Sequence, residues 1–321
     1  MRRDHGGNID AAKARFGGAD WIDLSTGINR VPYPLARLTP EAWTGLPTAA
    51  AKAALIAAAQ TAFGTQAPGV ALAGAQQAIQ LIPRLTPPGL ARVLAPTYNE
   101  HAAALRAAGW EVEEVTSLRA LAGADLAVVV NPNNPDGRGT SPEALRALGL
   151  QVRRMVVDES FADATPETSL AAKAGAKIIV LRSFGKFYGL AGLRLGFAFA
   201  DAATVARLED MAGPWPVSGP AIETGTRALR DRPWAEATTA RLTAEAQRLD
   251  AIAAAAGWAL VGGTALFRTY ATPEAQAAQE RLARAQIWSR IFPYSPSWLR
   301  LGLPGAESEW KRLERALSDA I

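Results

Sequence analysis

The stretch that decides the fold is SFGKFYGLAGLRLGF, residues 183–197. It holds one lysine, Lys186, among glycines and aromatic side chains, and Arg194 follows eight residues later. A surface lysine needs neither Ser183 nor Gly185 beside it, so the joint occurrence of these residues is the signal. A lysine that can form a Schiff base, placed where small residues allow a ligand to approach closely, indicates covalent catalysis.

Composition restricts the classes of function. The chain has 321 residues, a formal net charge of +4, no cysteine and two histidines. These counts exclude disulfides, thiol catalysis, zinc–thiolate sites and histidine-rich metal sites. The arginines are scattered, which disfavours nucleic acid, and no segment reaches the roughly 18 continuous apolar residues of a membrane span. We therefore expect a cytoplasmic protein that acts on a small anionic molecule, without a metal.

The pattern of apolar runs predicts an α/β fold. Runs such as DLAVVVN (125–131) and KIIVLRSF (177–184) alternate with alanine-rich helical stretches, as parallel strands buried between helix layers do. After about Ala200 come long helical segments and three short strands. We expect a large doubly wound, mostly parallel sheet domain and a smaller α+β domain. The predicted bounds are 1–31 for an N-terminal arm that packs with the small domain, 32–205 for the large domain and 206–321 for the small one.

Polar residues follow the predicted strands, where open parallel sheets bind ligands. Asp158 ends the run RMVVD, and a buried carboxylate there is costly unless a cation or a donor meets it, although a turn or capping role alone would also explain it. NPNNPDG (131–137) is equally compatible with a simple turn. Together, a Schiff-base lysine, an anion cradle at the helix that Gly74 opens, an aspartate and an aromatic residue are what pyridoxal phosphate requires.

Four motifs carry a family resemblance. SFGKFYGLAGLRLGF resembles the cofactor-lysine signature of fold type I pyridoxal-phosphate enzymes, the class I/II aminotransferase family. NPNNPDG and VVDESF (156–161) resemble the second and third signatures of that family in the same order, and WLRLGL (298–303) resembles its carboxylate-binding strand. The resemblance covers nearly the whole chain from about Leu24 onward, and it implies a homodimer.

The resemblance also implies roles at the cofactor, pyridoxal 5'-phosphate. Lys186 would form the Schiff base and then serve as base or acid at the substrate α-carbon, and Asp158 would keep the pyridine nitrogen protonated. The full cofactor-binding set is Ala75, Gln76, Tyr98, Asn134, Asp158, Ser183, Lys186 and Arg194. In that set Tyr98 stacks on the ring, Asn134 donates to the phenolic oxygen, and the phosphate is bound by Ala75, Gln76, Ser183 and Arg194.

Two positions depart from the family pattern. Phe161 stands where many relatives have a tyrosine, so the phenolic oxygen has one donor fewer. Leu46-Pro47 stands where many relatives have a tyrosine that reaches the cofactor phosphate of the partner subunit.

The chain ends indicate which reaction follows. HGGN (5–8) with DLSTGINR, and the closing IWSRIFPYSPSWLRLGLPG, resemble the threonine-phosphate decarboxylases of cobalamin biosynthesis. By this resemblance His5 and Arg290 hold a substrate phosphate and Arg300 pairs bidentately with a carboxylate. The full substrate-binding set is His5, Gly27, Asn29, Asn134, Arg290 and Arg300.

Three hypotheses remain open. The first is a pyridoxal-phosphate lyase that decarboxylates L-threonine O-3-phosphate, and its rival is a phosphate-recognising aminotransferase of the histidinol-phosphate type. Serine phosphate also stays open as the lyase substrate, because one methyl group is worth only about 1–3 kcal/mol. The third is a non-enzymatic cofactor-binding sensor, which the absence of a basic helix-turn-helix segment disfavours. We interpret His101, in YNEHAAAL, as a packed or surface histidine.

Overall fold

The computed structural model describes residues 5–318, which pack into two units. The large unit comprises Tyr33–Asn134 and Gly139–Ala235. The small unit comprises, within the described range, residues 5–32, 135–138 and 236–318. Residues 1–4 of the predicted arm, with Arg2 and Arg3, and residues 319–321 of the predicted small domain lie outside the described residues.

Helices and strands alternate along the large unit. The helices of the chain are α1 (Ile9–Phe16), α2 (Pro40–Thr44), α3 (Ala49–Ala62), α4 (Ala75–Leu81), α5 (Glu100–Ala107), α6 (Pro142–Gly149), α7 (Phe184–Phe187), α8 (Ala202–Ala212), α9 (Gly219–Arg230), α10 (Arg232–Ala255), α11 (Ala275–Arg284) and α12 (Glu307–Ser318). The strands are β1 (Ile22–Asp23), β2 (Gly69–Leu72), β3 (Leu90–Leu94), β4 (Glu111–Val115), β5 (Leu126–Val130), β6 (Arg154–Asp158), β7 (Ile178–Ser183), β8 (Gly196–Phe199), β9 (Ala259–Thr264), β10 (Phe267–Ala271), β11 (Ile287–Trp288), β12 (Arg290–Phe292) and β13 (Ser295–Gly302).

A seven-stranded sheet forms the centre of the large unit, in the order β2-β8-β7-β6-β5-β3-β4. The pairs from β7 to β4 are parallel, and β8 is antiparallel to both of its neighbours. Strands β5 and β8 are buried along their whole length, because helices cover both faces of the sheet. The predicted large, mostly parallel sheet is confirmed.

Strand β4 escaped the sequence analysis. Its residues read EVEEV, and none of them is buried. It lies at the edge of the sheet, where charged side chains are tolerated and protect the edge from further pairing. An apolar run was therefore not needed to form it.

The small unit contains two further sheets. Strands β12, β13, β10 and β9 form an antiparallel sheet of four, and β1 pairs in parallel with β11. The second pairing ties the N-terminal segment to the C-terminal part of the chain, and Arg15 on α1 adds an ion pair with Glu280 on α11. Three short strands were predicted here, and the two-residue β1 and β11 and three-residue β12 offer too few residues for a recognisable pattern.

The division between the units falls inside α10, between Ala235 and Glu236. The sequence analysis expects it after residue 205. Helix α9 packs along α3, and a Cβ on Gly225 would lie 2.5 Å from Leu195 Cδ2, so this helix belongs to the large unit. Its buried face has the same periodicity as a small-domain helix would have, so the sequence pattern alone does not assign it.

Candidate active site

The polar strand ends of the large unit lie at one edge of its sheet. Strands β3, β5, β6 and β7 are parallel, and β2 runs in the same direction because both β2 and β7 are antiparallel to β8. All the residues of the predicted cofactor set belong to this unit. Asp158 ends β6 and Ser183 ends β7, whereas the others follow β2 (Ala75, Gln76), β3 (Tyr98), β5 (Asn134) and β7 (Lys186) or precede β8 (Arg194).

Asp158 is a buried carboxylate with three hydrogen bonds. Its Oδ2 lies 2.8 Å from Nε2 of His101, and its Oδ1 accepts from the backbone nitrogen and the hydroxyl of Ser160, at 3.0 and 2.5 Å. Because an ionised carboxylate only accepts, Nε2 of His101 carries the proton. Burial alone would raise the pKa of Asp158, but the bonds from His101 and Ser160 and the charge of Lys186 lower it below its usual range. Asp158 is therefore anionic, as a partner for a protonated ring nitrogen must be.

Lys186 is half-buried on the short helix α7, directly after β7. Its Nζ lies 4.8 Å from the ring centroid of Phe161, the residue found where many relatives have tyrosine. A Cβ on the neighbouring Gly185 would lie 2.7 Å from Cα of Ala191, so only glycine lets the chain after α7 fold back this closely. The lysine is thereby held on a tightly packed turn.

The turn after β2 has the features of an anion cradle. Gly74, at φ 78°, precedes α4, and a Cβ there would lie 2.8 Å from Nη2 of Arg194. A Cβ on Gly196 would lie 2.3 Å from the backbone nitrogen of Ala75. Arg194 itself adopts a left-handed conformation, at φ 54°. Two glycines thus keep a guanidinium and the first backbone nitrogens of α4 close together, which fits a phosphate group.

Tyr98 and Gln76 are joined by a hydrogen bond, in which the hydroxyl of Tyr98 donates to Oε1 of Gln76 at 3.2 Å. The amide nitrogen of Gln76 donates to the buried carboxylate of Glu100 at 2.9 Å. Asn134 is half-buried in the loop after β5, next to Asn133, whose amide donates to Pro96 O. These contacts hold the side chains of Tyr98, in the loop after β3, and Gln76, on α4, in position.

A second buried network lies behind Lys186. Arg182, on β7, contacts Glu159 at 3.0 Å and Asp163 at 3.3 Å, and its guanidinium lies over the ring of Phe63. Burial raises the pKa of Asp163, against the lowering effect of Arg182. The network joins the ends of β6 and β7 and so supports the strand that leads into Lys186.

The predicted substrate residues, except Asn134, all belong to the small unit. Strands β12 and β13 place Arg290 directly opposite Arg300. Arg300 is buried and its Nη2 donates to Ser25 O at 2.7 Å. Burial and the charge of Arg290 lower the pKa of Arg300 to about 9. The two guanidinium groups lie opposite each other on neighbouring strands, so their positive charges repel each other. This arrangement indicates a site for an anion, whose charge would remove the repulsion.

His5 and Arg290 line one cavity of about 340 Å³ in the small unit, together with Ser25 and Ser289. The backbone nitrogen of Gly7 donates to Ser25 Oγ at 2.7 Å, so the HGGN segment is attached to the STG turn. His5 and Arg290 thus line the same cavity, and their binding of a substrate phosphate remains a prediction.

Gly27 and Asn29 lie in the same turn region and are buried. Oδ1 of Asn29 accepts from Arg241 at 2.9 Å and from the backbone nitrogen of Val31 at 3.0 Å. Asn29 thus has a structural role in the small unit, and its binding of a substrate remains a prediction.

The sequence analysis missed two residues of this site. His101 is packed, as interpreted, but its bond to Asp158 was not foreseen, and the signal for it was its position three residues after Tyr98, at the start of the helix that follows this predicted cofactor residue. Glu100 gave no signal, since a glutamate in the first turn of a helix is ordinary. No group of three or more His, Cys, Asp or Glu suited to a metal ion, and no helix long and apolar enough to cross a membrane, occurs in residues 5–318.

Comparisons with known proteins show the family of this chain. Residues 42–318 match the family model "Aminotransferase class I and II". A threonine-phosphate decarboxylase of Pseudomonas aeruginosa is 43% identical over 98% of this chain and 97% of its own length, and one of Sinorhizobium is 42% identical over the same shares. The crystal structure of a histidinol-phosphate aminotransferase from Sinorhizobium meliloti with pyridoxal-5'-phosphate has a TM-score of 0.84 at 20% identity, over 97% of this chain and 93% of that one. The chain belongs to the class I and II aminotransferase family.

Proposed function

We propose that this protein is a pyridoxal-phosphate lyase that converts L-threonine O-3-phosphate to (R)-1-aminopropan-2-yl phosphate and carbon dioxide, in cobalamin biosynthesis. The observation that carries the proposal is the likeness, over nearly the full length of both chains, to two threonine-phosphate decarboxylases. The residues of the large unit fit the cofactor, because a buried ionised aspartate, a lysine and a glycine-lined cradle with an arginine are all present.

The large unit supplies the chemistry at the α-carbon. Bound pyridoxal phosphate supplies a protonated ring that withdraws electrons from the α-carbon of an attached amino acid. The Asp158 carboxylate holds the proton on the ring nitrogen, and His101 and Ser160 keep that carboxylate ionised. Lys186 would hold the cofactor before the substrate does, and its ammonium group would return a proton to the substrate α-carbon once carbon dioxide has left.

We assign to the small unit the choice of which substrate bond breaks. His5 and Arg290 take the substrate phosphate, and Arg300 pairs with the carboxylate in a bidentate contact. Holding both anionic ends sets the torsion about the α-carbon, and the bond held perpendicular to the ring is the one that breaks. Discrimination against substrates without a phosphate follows, since Arg290, opposite Arg300, would then lack the anionic group that it is proposed to bind.

The first test mixes the pyridoxal-phosphate-loaded protein with L-threonine O-3-phosphate and no keto acid. We expect carbon dioxide and the phosphorylated amine in equal amounts over many turnovers. Absence of carbon dioxide, with turnover of histidinol phosphate once 2-oxoglutarate is added, would instead establish the rival aminotransferase. Serine phosphate in a parallel assay measures how strongly the substrate methyl group is selected.

We also propose that the chain works as a homodimer, as the family resemblance implies, and that it is cytoplasmic, as the sequence analysis expects. The large unit carries exposed apolar side chains that fit such an interface, among them Leu35, Trp43 and Leu46. Leu46 lines an apolar cavity of about 730 Å³, formed by residues of 39–54 and 219–230. Sedimentation velocity tests this oligomeric state.

A further inference from the structure

The buried carboxylate of Glu100 has no place in the mechanism above. It lies in the first turn of α5 and is 6% exposed. One of its oxygens, Oε2, accepts from Nε2 of Gln76 at 2.9 Å, and Oε1 of Gln76 accepts from the hydroxyl of Tyr98 at 3.2 Å. The three side chains therefore form a chain of hydrogen bonds across α4, the loop after β3 and α5. Both Gln76 and Tyr98 belong to the cofactor set, and Glu100 does not.

A glutamine amide can be turned by 180° with almost no change in shape, so its neighbours decide which end points where. A carboxylate can only accept, so the end of Gln76 that meets Glu100 must be the nitrogen. The carbonyl oxygen is then left to accept from Tyr98. Glu100 thus determines the orientation of the amide, and through the amide it determines the direction of the Tyr98 hydroxyl.

The amide nitrogen carries two N–H groups, and Glu100 uses one of them. Within residues 5–318 the other has no hydrogen-bond partner, and an amide whose oxygen accepts a hydrogen bond, as this one does from Tyr98, is polarised toward stronger donation by its N–H groups. Gln76 is the second residue of α4, directly after Gly74 and Ala75. At Gly74 the guanidinium of Arg194 is so close that a Cβ would meet it at 2.8 Å. Gln76 thus directly follows the residues of this cradle, and the family resemblance assigns its side chain to the same phosphate.

We propose that Glu100 is a positioning residue for the cofactor: it turns the amide of Gln76 so that an N–H, and not the carbonyl oxygen, is offered to the phosphate, and it anchors the hydroxyl of Tyr98 through the same amide. This inference rests on the proposed function only in that pyridoxal phosphate is the ligand. It explains why a carboxylate, whose burial is costly, stands beside an anion site.

The test measures the affinity of the cofactor-free protein for pyridoxal 5'-phosphate, from the Schiff-base absorption band, and the circular dichroism of that band, which reports the ring environment. In Glu100→Met the acceptor is lost and the volume is kept, and we expect binding to weaken about tenfold, the equivalent of one hydrogen bond. In Glu100→Gln a carbonyl acceptor remains, and we expect recovery to within about threefold of the original affinity. Gln60→Met is the matched control, because Gln60 donates its amide to Ala67 O elsewhere in the large unit.

The decisive variant is the exchange Gln76→Glu with Glu100→Gln. The exchanged pair keeps every hydrogen bond of the chain, since the new carboxylate accepts from both Tyr98 and the new amide. It nevertheless replaces the N–H at the cradle by a carboxylate oxygen. We expect thermal stability close to that of the original protein but cofactor binding weaker by about a hundredfold, because like charges then face each other.

Two results would overturn the inference alone. One is an exchanged pair that binds the cofactor as tightly as the original protein, which would make the hydrogen-bond chain purely structural. The other is Glu100→Met with unchanged affinity and circular dichroism. If Glu100→Met does not fold, Glu100→Gln and the exchanged pair decide the matter. If the unmodified protein does not bind pyridoxal phosphate, the proposed function fails, and the inference fails with it.

Discussion

His101 and Asp158 show how one buried contact sets a charge. Burial raises the pKa of Asp158, and the hydrogen bond from His101 is the largest effect in the opposite direction. A carboxyl whose pKa is lower in the folded than in the unfolded chain stabilises the fold above its unfolded pKa. That stabilisation is lost as the pH falls through the folded pKa. The folded protein therefore resists mild acid at this position.

Replacing His101 by phenylalanine leaves the burial and removes the donor. We expect the pKa of Asp158 to rise, the free energy of unfolding near pH 7 to fall by about 1.5–3 kcal/mol, and acid unfolding to begin at a higher pH. Urea unfolding between about pH 3 and about pH 8 measures all three effects. His5→Phe, at the other and exposed histidine, is the control, and an identical pH profile for both variants would contradict the assignment.

Lys186 is proposed to carry the covalent step, and its contribution to the fold is small. Its contact with the ring of Phe161, at 4.8 Å, is worth about 0.5–2 kcal/mol. We expect Lys186→Ala to lose at least about a thousandfold in turnover while its melting temperature changes by a few degrees at most. Product formation from threonine phosphate and a thermal melt check the two parts. Unchanged product formation would show that the enzyme proposal assigns the wrong residue.

At the scale of elements, the pairing of β12 with β13 creates the feature of greatest consequence for substrate binding. Arg290 and Arg300 stand opposite each other in an antiparallel register, where like charges destabilise a sheet by about 0.2–1 kcal/mol. Neither strand alone reveals this, because the two arginines are ten residues apart in the sequence. The repulsion is retained in the free protein and is removed when an anion binds.

The variant Arg290→Gln separates the repulsion between the two arginines from their binding of an anion. Without phosphate we expect the variant to be as stable as the original protein or slightly more so, because one of the facing charges is gone. With threonine phosphate the original protein should gain stability, and the variant should lose most of that gain. Thermal melts with and without threonine phosphate measure both changes in stability. Equal stabilisation of the original protein and the variant by threonine phosphate would show that the substrate phosphate does not bind at Arg290.

The buried strands were predictable because each is apolar on both faces and bounded by turns, as β5, β6 and β7 are. The edge strand β4 was not predictable in this way, because its three glutamates are exposed to solvent. The position of α9 was also not predictable, since an amphipathic helix shows that it has a buried face but not which element covers it. The local sequence thus decides whether a segment forms a helix or a strand, but it does not decide which elements that segment packs against.

At the scale of the whole molecule, the proposed homodimer follows from exposed apolar side chains of the large unit. Leu35, Trp43 and Leu46 are 70%, 70% and 66% exposed. Their burial against a second copy would contribute the hydrophobic stabilisation that a subunit interface needs.

We expect Trp43→Glu and Leu46→Glu together to convert the dimer to a monomer, because charges would have to be buried at the interface. Sedimentation velocity measures the outcome. Leu150→Glu is the matched control, since Leu150 is 81% exposed on the same unit and should leave the oligomeric state unchanged. A monomeric original protein, or a dimeric double variant, would contradict the proposed interface.

The sequence by itself determined the fold class and the family, and it predicted Lys186 and Asp158 as the catalytic pair, because those depend on motifs whose members are close together in the chain. Only the tertiary structure decided how the charges of the site are balanced. It brought His101 to Asp158, Glu100 to Gln76, and Arg290 opposite Arg300. Each of these contacts joins side chains on different helices, loops or strands. Their strength depends on burial and distance, which no spacing along the chain records.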